Sequence, residues 1–473
     1  MSKIKGAVVV DTERCKGCNL CVVACPTDTL ALTTNEVNHK GYPYSYSARP
    51  DACIGCATCA IVCPDGCITV YKDKTSAAAP ATSAGNMAAP LPDAPAPVIA
   101  TPQDTSASEV LLMKGNEAIA HAAIRCGCDG YFGYPITPQS EVLETLAELK
   151  PWETTGMVVL QAESEVASIN MLYGGGGTGK RVMTSSSSVG IALMQEGISY
   201  MAGAEIPGLI VNVQRGGPGL GTIQPSQSDY NQATRGGGNG DYNLIVLAPA
   251  SVQEMADFVD LGFQLAFKYR NPVIMLSDGV IGQMMEKVVL PPFKPRRTEA
   301  QILAECPWAA NGMGLKARSP HAITSLDLDP VAMEHHNLHL QEKYRSIKAN
   351  EVRYEAIDCD DIEYLVVAFG SAARISQKAI DMAREKGIKV GLFRPITLWP
   401  FPEKEIGELA QRVKGILTVE INAGQMVFDV HAAAEGHTPV RHFGRLGGIV
   451  PSPDEIVEAL DQLVSSTQAL TQH

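Results

Sequence analysis

The stretch Gly130-Tyr-Phe-Gly-Tyr-Pro-Ile-Thr-Pro-Gln-Ser-Glu141 decides the fold. Tyr131 to Tyr134 reads as the end of a buried strand, and Pro135 stops it by removing a backbone donor. Thr137 and Pro138 read as an N-cap followed by a proline at the first helical position, which predicts a helix from there to Lys150. A strand that turns directly into a helix places its loop at the carboxyl edge of a sheet. Open α/β sheets bind their ligands along that edge.

Outward from this stretch, apolar runs alternate with helical stretches: 130–134, 157–160, 181–184, 209–213, 244–247 and 273–276. That rhythm predicts a parallel sheet with helices on both faces. Four of its carboxyl-edge loops carry unusual residues. They are the opening loop with Thr137, the run Gln161-Ala-Glu-Ser-Glu165, the serine cluster Thr184-Ser-Ser-Ser-Ser188-Val-Gly190, and Gln214-Arg215 before a glycine-rich loop ending at Thr222. Each has an ordinary explanation alone: Glu163 and Glu165 favour a helix N-terminus, the serines cap, and Arg215 pairs at the surface. Together on one edge they predict a pocket of a carboxylate, hydroxyls and an arginine.

At 473 residues the chain has room for about three domains. Its 45% hydrophobic and 19% charged content is that of a globular protein. The net charge of −13 argues against nucleic acid or an anionic membrane as partner. No apolar run approaches the roughly 18 residues of a membrane span, and no signal cleavage site follows the first strand. A cytoplasmic location is expected.

Nine of the 13 cysteines lie between residues 15 and 67. Cys15-Lys-Gly-Cys18-Asn-Leu-Cys21-Val-Val-Ala-Cys25-Pro26 is repeated as Cys53-Ile-Gly-Cys56-Ala-Thr-Cys59-Ala-Ile-Val-Cys63-Pro64. This is the spacing that holds cubane iron–sulfur clusters, the first three thiolates of each run on one cluster and the fourth on the other. It assigns Cys15, Cys18, Cys21 and Cys63 to one 4Fe-4S cluster, and Cys53, Cys56, Cys59 and Cys25 to a second. Zinc would want one C-x₂-C pair per half. Cys67 fits neither run and reads as a small core residue. Residues 1–73 carry seven basic and seven acidic side chains, which suits a carrier tethered to one enzyme. The segment resembles two-cluster bacterial ferredoxins. Residues 74–108 are rich in Ala and Pro without apolar period, and read as a linker spanning roughly 30 Å or more.

Here a wider resemblance becomes specific. Lys114-Gly-Asn-Glu-Ala-Ile-Ala, Phe132 to Glu141, Gln161 to Asn170 and Gln214-Arg-Gly-Gly-Pro-Gly-Leu-Gly221 resemble the α subunit of 2-oxoacid:ferredoxin oxidoreductases over residues 109 to about 460. The branched-chain 2-oxoacid group is nearest and the 2-oxoglutarate group next. The resemblance implies that Tyr134, Pro135, Ile136 and Thr137 lie beside thiamine diphosphate and its substrate, with Thr137 at the substrate. It implies that Arg215 grips the substrate carboxylate. The glutamate beside the aminopyrimidine falls on Glu165, with Glu163 as the alternative. The expected reaction is oxidative decarboxylation to an acyl-CoA, with coenzyme A as co-substrate. Single-electron removal through iron–sulfur clusters then explains the fused ferredoxin.

Gly174-Gly-Gly-Gly-Thr-Gly179-Lys180-Arg181 nearly spells a P-loop, but Arg181 and a strand follow where Ser or Thr and a helix belong. The nearest approach to a magnesium–diphosphate motif is Asn239-Gly-Asp-Tyr242, which lacks the second glycine. The chain is therefore expected to be the pyrimidine-binding half. A β subunit would bring the diphosphate and Mg²⁺ site with a further cluster, beside a γ subunit and an external ferredoxin.

Residues 296–356 read as a connector with one long polar helix over 331–356. His335 and His339 on it are read as a solvated face rather than a metal site. Residues 357–473 resemble the transketolase C-terminal fold, with 391–400 and 419–426 as interface and packing elements; 109–295 is the thiamine pyrimidine-binding domain. The fold class expected is α/β, two parallel-sheet domains preceded by a small α+β ferredoxin domain. Two rival readings are a pure electron-transfer subunit with a vestigial crevice, and a non-oxidative thiamine transferase, which would have no use for residues 1–73. The substrate best fitting the resemblance is 2-oxoisovalerate, with 2-oxoglutarate the alternative.

Overall fold

The computed structural model describes residues 6–63, 65–72, 109–310 and 321–470. They belong to two compact units, one within residues 1–94 and the other within 95–473. The expected linker at 74–108 lies outside the described residues.

In the first unit, β1 (Gly6–Val10), β2 (Leu30–Leu32), β3 (Ser45–Ser47) and β4 (Ile68–Lys72) form two antiparallel pairs, β1 with β4 and β2 with β3. Each half carries a one-turn helix, Leu20–Val23 and Thr58–Ile61. The sequence repeat is also a backbone repeat. Gly17 and Gly55 have φ of 69° and 67°, and Asn19 and Ala57 have φ of 67° and 63°. A Cβ at Gly17 would sit 2.6 Å from the Pro43 carbonyl, so the turn requires glycine on space as well as on φ.

The second unit begins with β5 (Glu109–Lys114), β6 (Gly130–Gly133), β7 (Val158–Gln161), β8 (Val182–Ser186), β9 (Gly208–Gln214), β10 (Ile245–Leu247), β11 (Pro272–Asp278) and β12 (Met285–Leu290). It continues with β13 (Tyr354–Ile357), β14 (Tyr364–Ala368), β15 (Val390–Pro395), β16 (Thr397–Trp399), β17 (Gly415–Glu420) and β18 (Val440–Gly444). A seven-stranded sheet runs β16-β10-β11-β9-β8-β6-β7, parallel except at β16. All six expected strands are in it. The central ones, β8, β9 and β11, are buried along their whole length, as strands covered on both faces must be. Leaving β6, the chain goes outward to β7 and then back across to β8, so β6 and β8 flank a switch point of the sheet.

A second sheet, β13-β15-β14-β17-β18, is parallel apart from β13. The segment 391–400 ties the sheets together, because it leaves the second at β15 and adds β16 to the edge of the first. Arg394 on β15 is almost fully buried and donates to both carboxylate oxygens of Glu254 and to Glu355. Glu254 lies in the first turn of the helix Val252–Tyr269, whose Met255, Val259, Phe263 and Ala266 form its buried stripe.

Two expectations change. The helix after the opening loop begins at Ser140, with Gln139 rather than Thr137 at the cap position. Residues 136–139 form a turn of their own, Gln139 N–H bonding the Ile136 carbonyl. The Pro138 carbonyl is taken by the side chains of Asn116 and Gln283. The polar helix spans Pro330–Asn350 instead of 331–356. It ends because Glu351 turns inward to Lys268, Tyr269 and Arg353, and β13 then pairs with β15. The glycine-rich run 174–177 belongs to the helix Glu165–Gly177. A Cβ at Gly176 would lie 2.5 Å from the Pro207 carbonyl, so close packing accounts for its glycine.

Truncating Arg394 to Met leaves Glu254 without its bidentate partner at a half-buried seam. The expected cost is about 3 kcal/mol, read as a lower urea midpoint. A second substitution, Glu254→Gln, should restore part of that loss; equal midpoints for wild type and R394M would show that the pair contributes nothing.

Candidate active site and cysteine cavities

The crevice forms where the loops after β6, β7, β8 and β9 meet. Ser164 caps the helix Glu165–Gly177 by accepting from Ala167 N–H, and this sets the phase of the two nearby glutamates. Glu165 falls inside and is buried; Glu163 is exposed. The Glu165 carboxylate lies against Gly190, where an added Cβ would come within 2.7 Å of Oε1 and would also overlap Ser186 Oγ. Glycine at 190 therefore leaves room for both groups. No hydrogen bond is drawn from the Glu165 side chain among the described residues, and the hydroxyls of Thr184, Ser186 and Ser187 are buried without partners. A buried carboxylate beside buried, unpaired hydroxyls is a cradle waiting for a polar ligand.

Arg215 holds the other side. Its Nη1 donates to the Thr137 carbonyl at 3.0 Å and its Nη2 to the Leu220 carbonyl at 3.1 Å. Its Nε is buried with no acceptor, so a donor of the planar fork remains for a ligand. The backbone of Arg215 is fixed by Ser188, whose Oγ accepts Arg215 N–H at 3.1 Å and donates to Asp229 at 2.6 Å. Asn212 Nδ2 donates to the same Asp229 oxygen at 2.9 Å. Burial pushes the Asp229 carboxyl above its ordinary range, with the Ser188 and Asn212 bonds acting the other way. Asp229 and Asn212 carry no local sequence signal; only the sheet brings them under Arg215.

Thr137 is exposed at the mouth, Tyr134 and Ile136 are half-buried, and Pro135 is exposed. The turn they form hangs from a polar network. Asn116 Nδ2 reaches both the Pro138 carbonyl and Glu141, while Gln283 Nε2 reaches the same two groups. On the inner side, Ser185 donates to Gln139 and contacts the Tyr131 hydroxyl. Four loops are thus joined by direct contacts, and Glu163 is the one proposed residue left outside them.

Other runs singled out in the sequence have structural uses. Asn239 accepts from Ser199, and the Tyr242 hydroxyl accepts Gly238 N–H. His339 meets Glu205 at 3.1 Å, His336 the Gly203 carbonyl, and His335 is exposed. In 419–426, Glu420 accepts the N–H groups of Met426 and Val427. Asn422 in the same run donates to the Gln227 carbonyl.

In the first unit two cavities are lined by cysteines from both halves. One has Cys53, Cys56, Cys59 and Cys25. The other has Cys15, Cys18, Cys21 and Cys63. Four convergent thiols are the donor set an iron–sulfur cluster takes. Burial raises the Cys25 thiol, yet bonds from Thr29 and Thr27 leave it lowered to about 7. Cys67 is buried in the core as expected, and it also lines the second cavity with its Sγ 3.4 Å from Cys63 Sγ. Burial, followed by the Cys63 contact, pushes its thiol up to about 12.

Family models agree with this geometry. The thiamine diphosphate-binding domain of pyruvate flavodoxin/ferredoxin oxidoreductases matches residues 121–355, the pyruvate:ferredoxin oxidoreductase core domain II matches 362–456, and a 4Fe-4S dicluster domain matches 14–69. Fold and crevice thus define a thiamine-dependent oxidoreductase subunit carrying its own iron–sulfur domain. The ketoisovalerate oxidoreductase subunit VorB of Methanothermobacter marburgensis is 46% identical over 75% of this chain and 98% of its own length. The 2-oxoglutarate synthase subunit KorA of the same organism is 36% identical over 75% of this chain and 99% of its own. The solved 2-oxoglutarate:ferredoxin oxidoreductase of Magnetococcus marinus, with 2-oxoglutarate, coenzyme A and succinyl-CoA bound, superposes with a TM-score of 0.65. It is 28% identical and covers 77% of this chain and 67% of that one. The chain belongs to the 2-oxoacid:ferredoxin oxidoreductase family, as a subunit that works with partner subunits.

The turn that carries Thr137 should be acid-sensitive. Burial raises the Glu141 carboxyl, but bonds from Gln283 and Asn116 and the charge of Lys114 outweigh it and leave the group below its ordinary range. Its stabilisation is complete above the unfolded pKa and disappears as pH falls through the lower folded value. Glu141→Gln should flatten the acid limb of a plot of melting temperature against pH; an unaltered limb would exclude this carboxyl as its source.

Proposed function

We propose that this chain is the pyrimidine-side subunit of a branched-chain 2-oxoacid:ferredoxin oxidoreductase, with 2-oxoisovalerate as substrate and acyl-CoA and carbon dioxide as products. The observation that carries the substrate is the 46% identity to a ketoisovalerate oxidoreductase subunit, against 36% to a 2-oxoglutarate synthase subunit of equal coverage. The crevice supports it. Leu220 and Ile223 stand exposed on the loop after Arg215, and the segment packed against Gly216 exposes Leu446 and Ile449. The nearby Arg445 is paired with Glu455. Apolar side chains suit a branched alkyl group, whereas 2-oxoglutarate needs a cation for its second carboxylate.

Thiamine diphosphate, when bound, supplies the carbon nucleophile and electron sink for decarboxylation. Glu165 is the carboxylate for the aminopyrimidine ring, placed and desolvated by the Ser164 cap and Gly190. Tyr134, Pro135 and Ile136 line the cofactor side. Arg215 binds the substrate carboxylate with the donors its two carbonyl bonds leave free, and Thr137 faces the substrate. The eight cysteines of the two cavities hold two 4Fe-4S clusters, which take the electrons singly. A β subunit supplies the diphosphate and Mg²⁺ site, coenzyme A accepts the acyl group, a γ subunit completes the assembly, and an external ferredoxin takes the electrons. No helix among the described residues is long and apolar enough to cross a membrane, in keeping with a cytoplasmic enzyme.

Glu165→Gln in the assembled complex should lower kcat by about 10²–10⁴-fold, while dithionite still reduces the clusters. Arg215→Met should lower kcat/KM by roughly 10- to 100-fold. Full activity in both variants would make the crevice vestigial. In a substrate panel of 2-oxoisovalerate, 2-oxoglutarate, pyruvate and indolepyruvate, 2-oxoisovalerate should lead 2-oxoglutarate by about 10²-fold in kcat/KM. The opposite order would reverse the substrate assignment.

A further inference from the structure

The two halves of the first unit repeat in backbone but not in what surrounds the fourth cysteine of each run. Counting from Cys25, positions +2 and +4 are Thr27 and Thr29; counting from Cys63, they are Asp65 and Cys67. Cys25 Sγ accepts Thr29 N–H at 3.2 Å and lies 3.7 Å from Thr27 Oγ1, which is itself 2.9 Å from Thr29 Oγ1. Cys63 Sγ instead has the Cys67 thiol at 3.4 Å, and the Asp65 carboxylate lines the same cavity. Asp65 pairs with Lys16 at 2.8 Å, but Lys16 is mostly in solvent while the carboxylate is largely buried, so the ammonium offsets it incompletely.

Elsewhere, Ser45 N–H donates to Cys15 and the Ser45 hydroxyl lies 3.3 Å from Cys21 in one cavity, and the Thr58 hydroxyl donates to Cys56 in the other. What differs at the fourth cysteine is a hydroxyl and a backbone N–H against a weak thiol donor, and a neutral threonine against a carboxylate whose neighbouring cations, Lys16 and Arg14, have Ile54 and Ala52 as their counterparts in the other half. Hydrogen bonds to cluster sulfur stabilise the more negative, reduced state, and a nearby negative charge destabilises it. At the fourth cysteine both differences act in one direction, and the two cations, both exposed, are screened by solvent.

We propose that Asp65 and Cys67 hold the cluster of Cys15, Cys18, Cys21 and Cys63 at a lower reduction potential than its twin, so that a single electron entering the pair resides on the cluster of Cys25, Cys53, Cys56 and Cys59. This rests on the two-cluster reading above. The gap is expected to distribute the first electron at least about tenfold toward the higher-potential cluster, which corresponds to about 59 mV for a one-electron couple.

The test is an EPR-monitored redox titration of the full chain, with iron counted beforehand. Wild type should hold about eight irons and titrate in two waves. Importing the first-half residues, Asp65→Thr with Cys67→Thr, should raise the lower wave alone and close the gap. The reciprocal exchange, Thr27→Asp with Thr29→Cys, should lower the upper wave alone, and it decides the matter if the first variant fails to assemble. Fewer irons would refute the two-cluster reading itself. Eight irons with coincident waves, or variants that move the wrong wave or neither, would overturn only the inference.

Discussion

The Arg215 guanidinium bonds two backbone carbonyls that no strand pairing would bring together, Thr137 after β6 and Leu220 in the glycine-rich loop after β9. The crevice depends on that bridge. Carbonyl acceptors fix the plane of the fork without neutralising its charge, so the cation stays available to an anionic ligand. Behind it, Asp229 orients Ser188, and Ser188 holds the Arg215 backbone. The buried carboxylate therefore reaches the Arg215 backbone through the hydroxyl, whereas a direct Asp229–Arg215 ion pair would neutralise the guanidinium.

The parts of the molecule legible in the sequence are those whose causes are local. The six parallel strands are continuous apolar runs because both faces are covered, and each was visible as such. The antiparallel pair of β5 and β12 was not, since only Met113 of β5 is buried and no short turn joins the two strands. Nor was β16, three residues that leave β15 of the second sheet to pair with β10 at the edge of the first. The helix start was misplaced at Thr137 for the same reason. Thr-Pro is a capping signal within the chain, but the Pro138 carbonyl answers to Asn116 and Gln283, 22 and 145 positions away.

The site residues divide in the same way. Arg215 and the serine cluster stood out because charged and hydroxyl residues are unusual at the end of a buried strand. Glu165 is preferred to Glu163 in the sequence on its spacing to Gly174, and the Ser164 cap sets a helix phase that buries Glu165 and leaves Glu163 exposed. Asp229 and Asn212 went unnoticed because nothing in their neighbourhood distinguishes them from ordinary loop and strand residues. In the cysteine-rich segment the spacing pairs each run's first three thiols with the other run's fourth, and the cavity linings have that composition. Spacing said nothing of Cys67, which becomes conspicuous only when its sulfur is found beside Cys63.

The crevice and the cysteine cavities place opposite demands on charge. On the proposed reading the crevice binds a 2-oxoacid carboxylate and needs a cation with unused donors; each Nη of Arg215 has a second N–H beyond its carbonyl bond, and its Nε is buried without an acceptor. A site that accepts electrons must tolerate added negative charge, so its walls supply N–H, O–H and S–H donors and few carboxylates. Asp65 breaks that second rule in only one of the two halves. The repeat preserves the left-handed turns at residues 17, 19, 55 and 57, and the difference at the fourth cysteines is one of side chains. Side chains can be exchanged between the halves without disturbing the turns, which makes the difference between the two cavities separable from the fold that carries them.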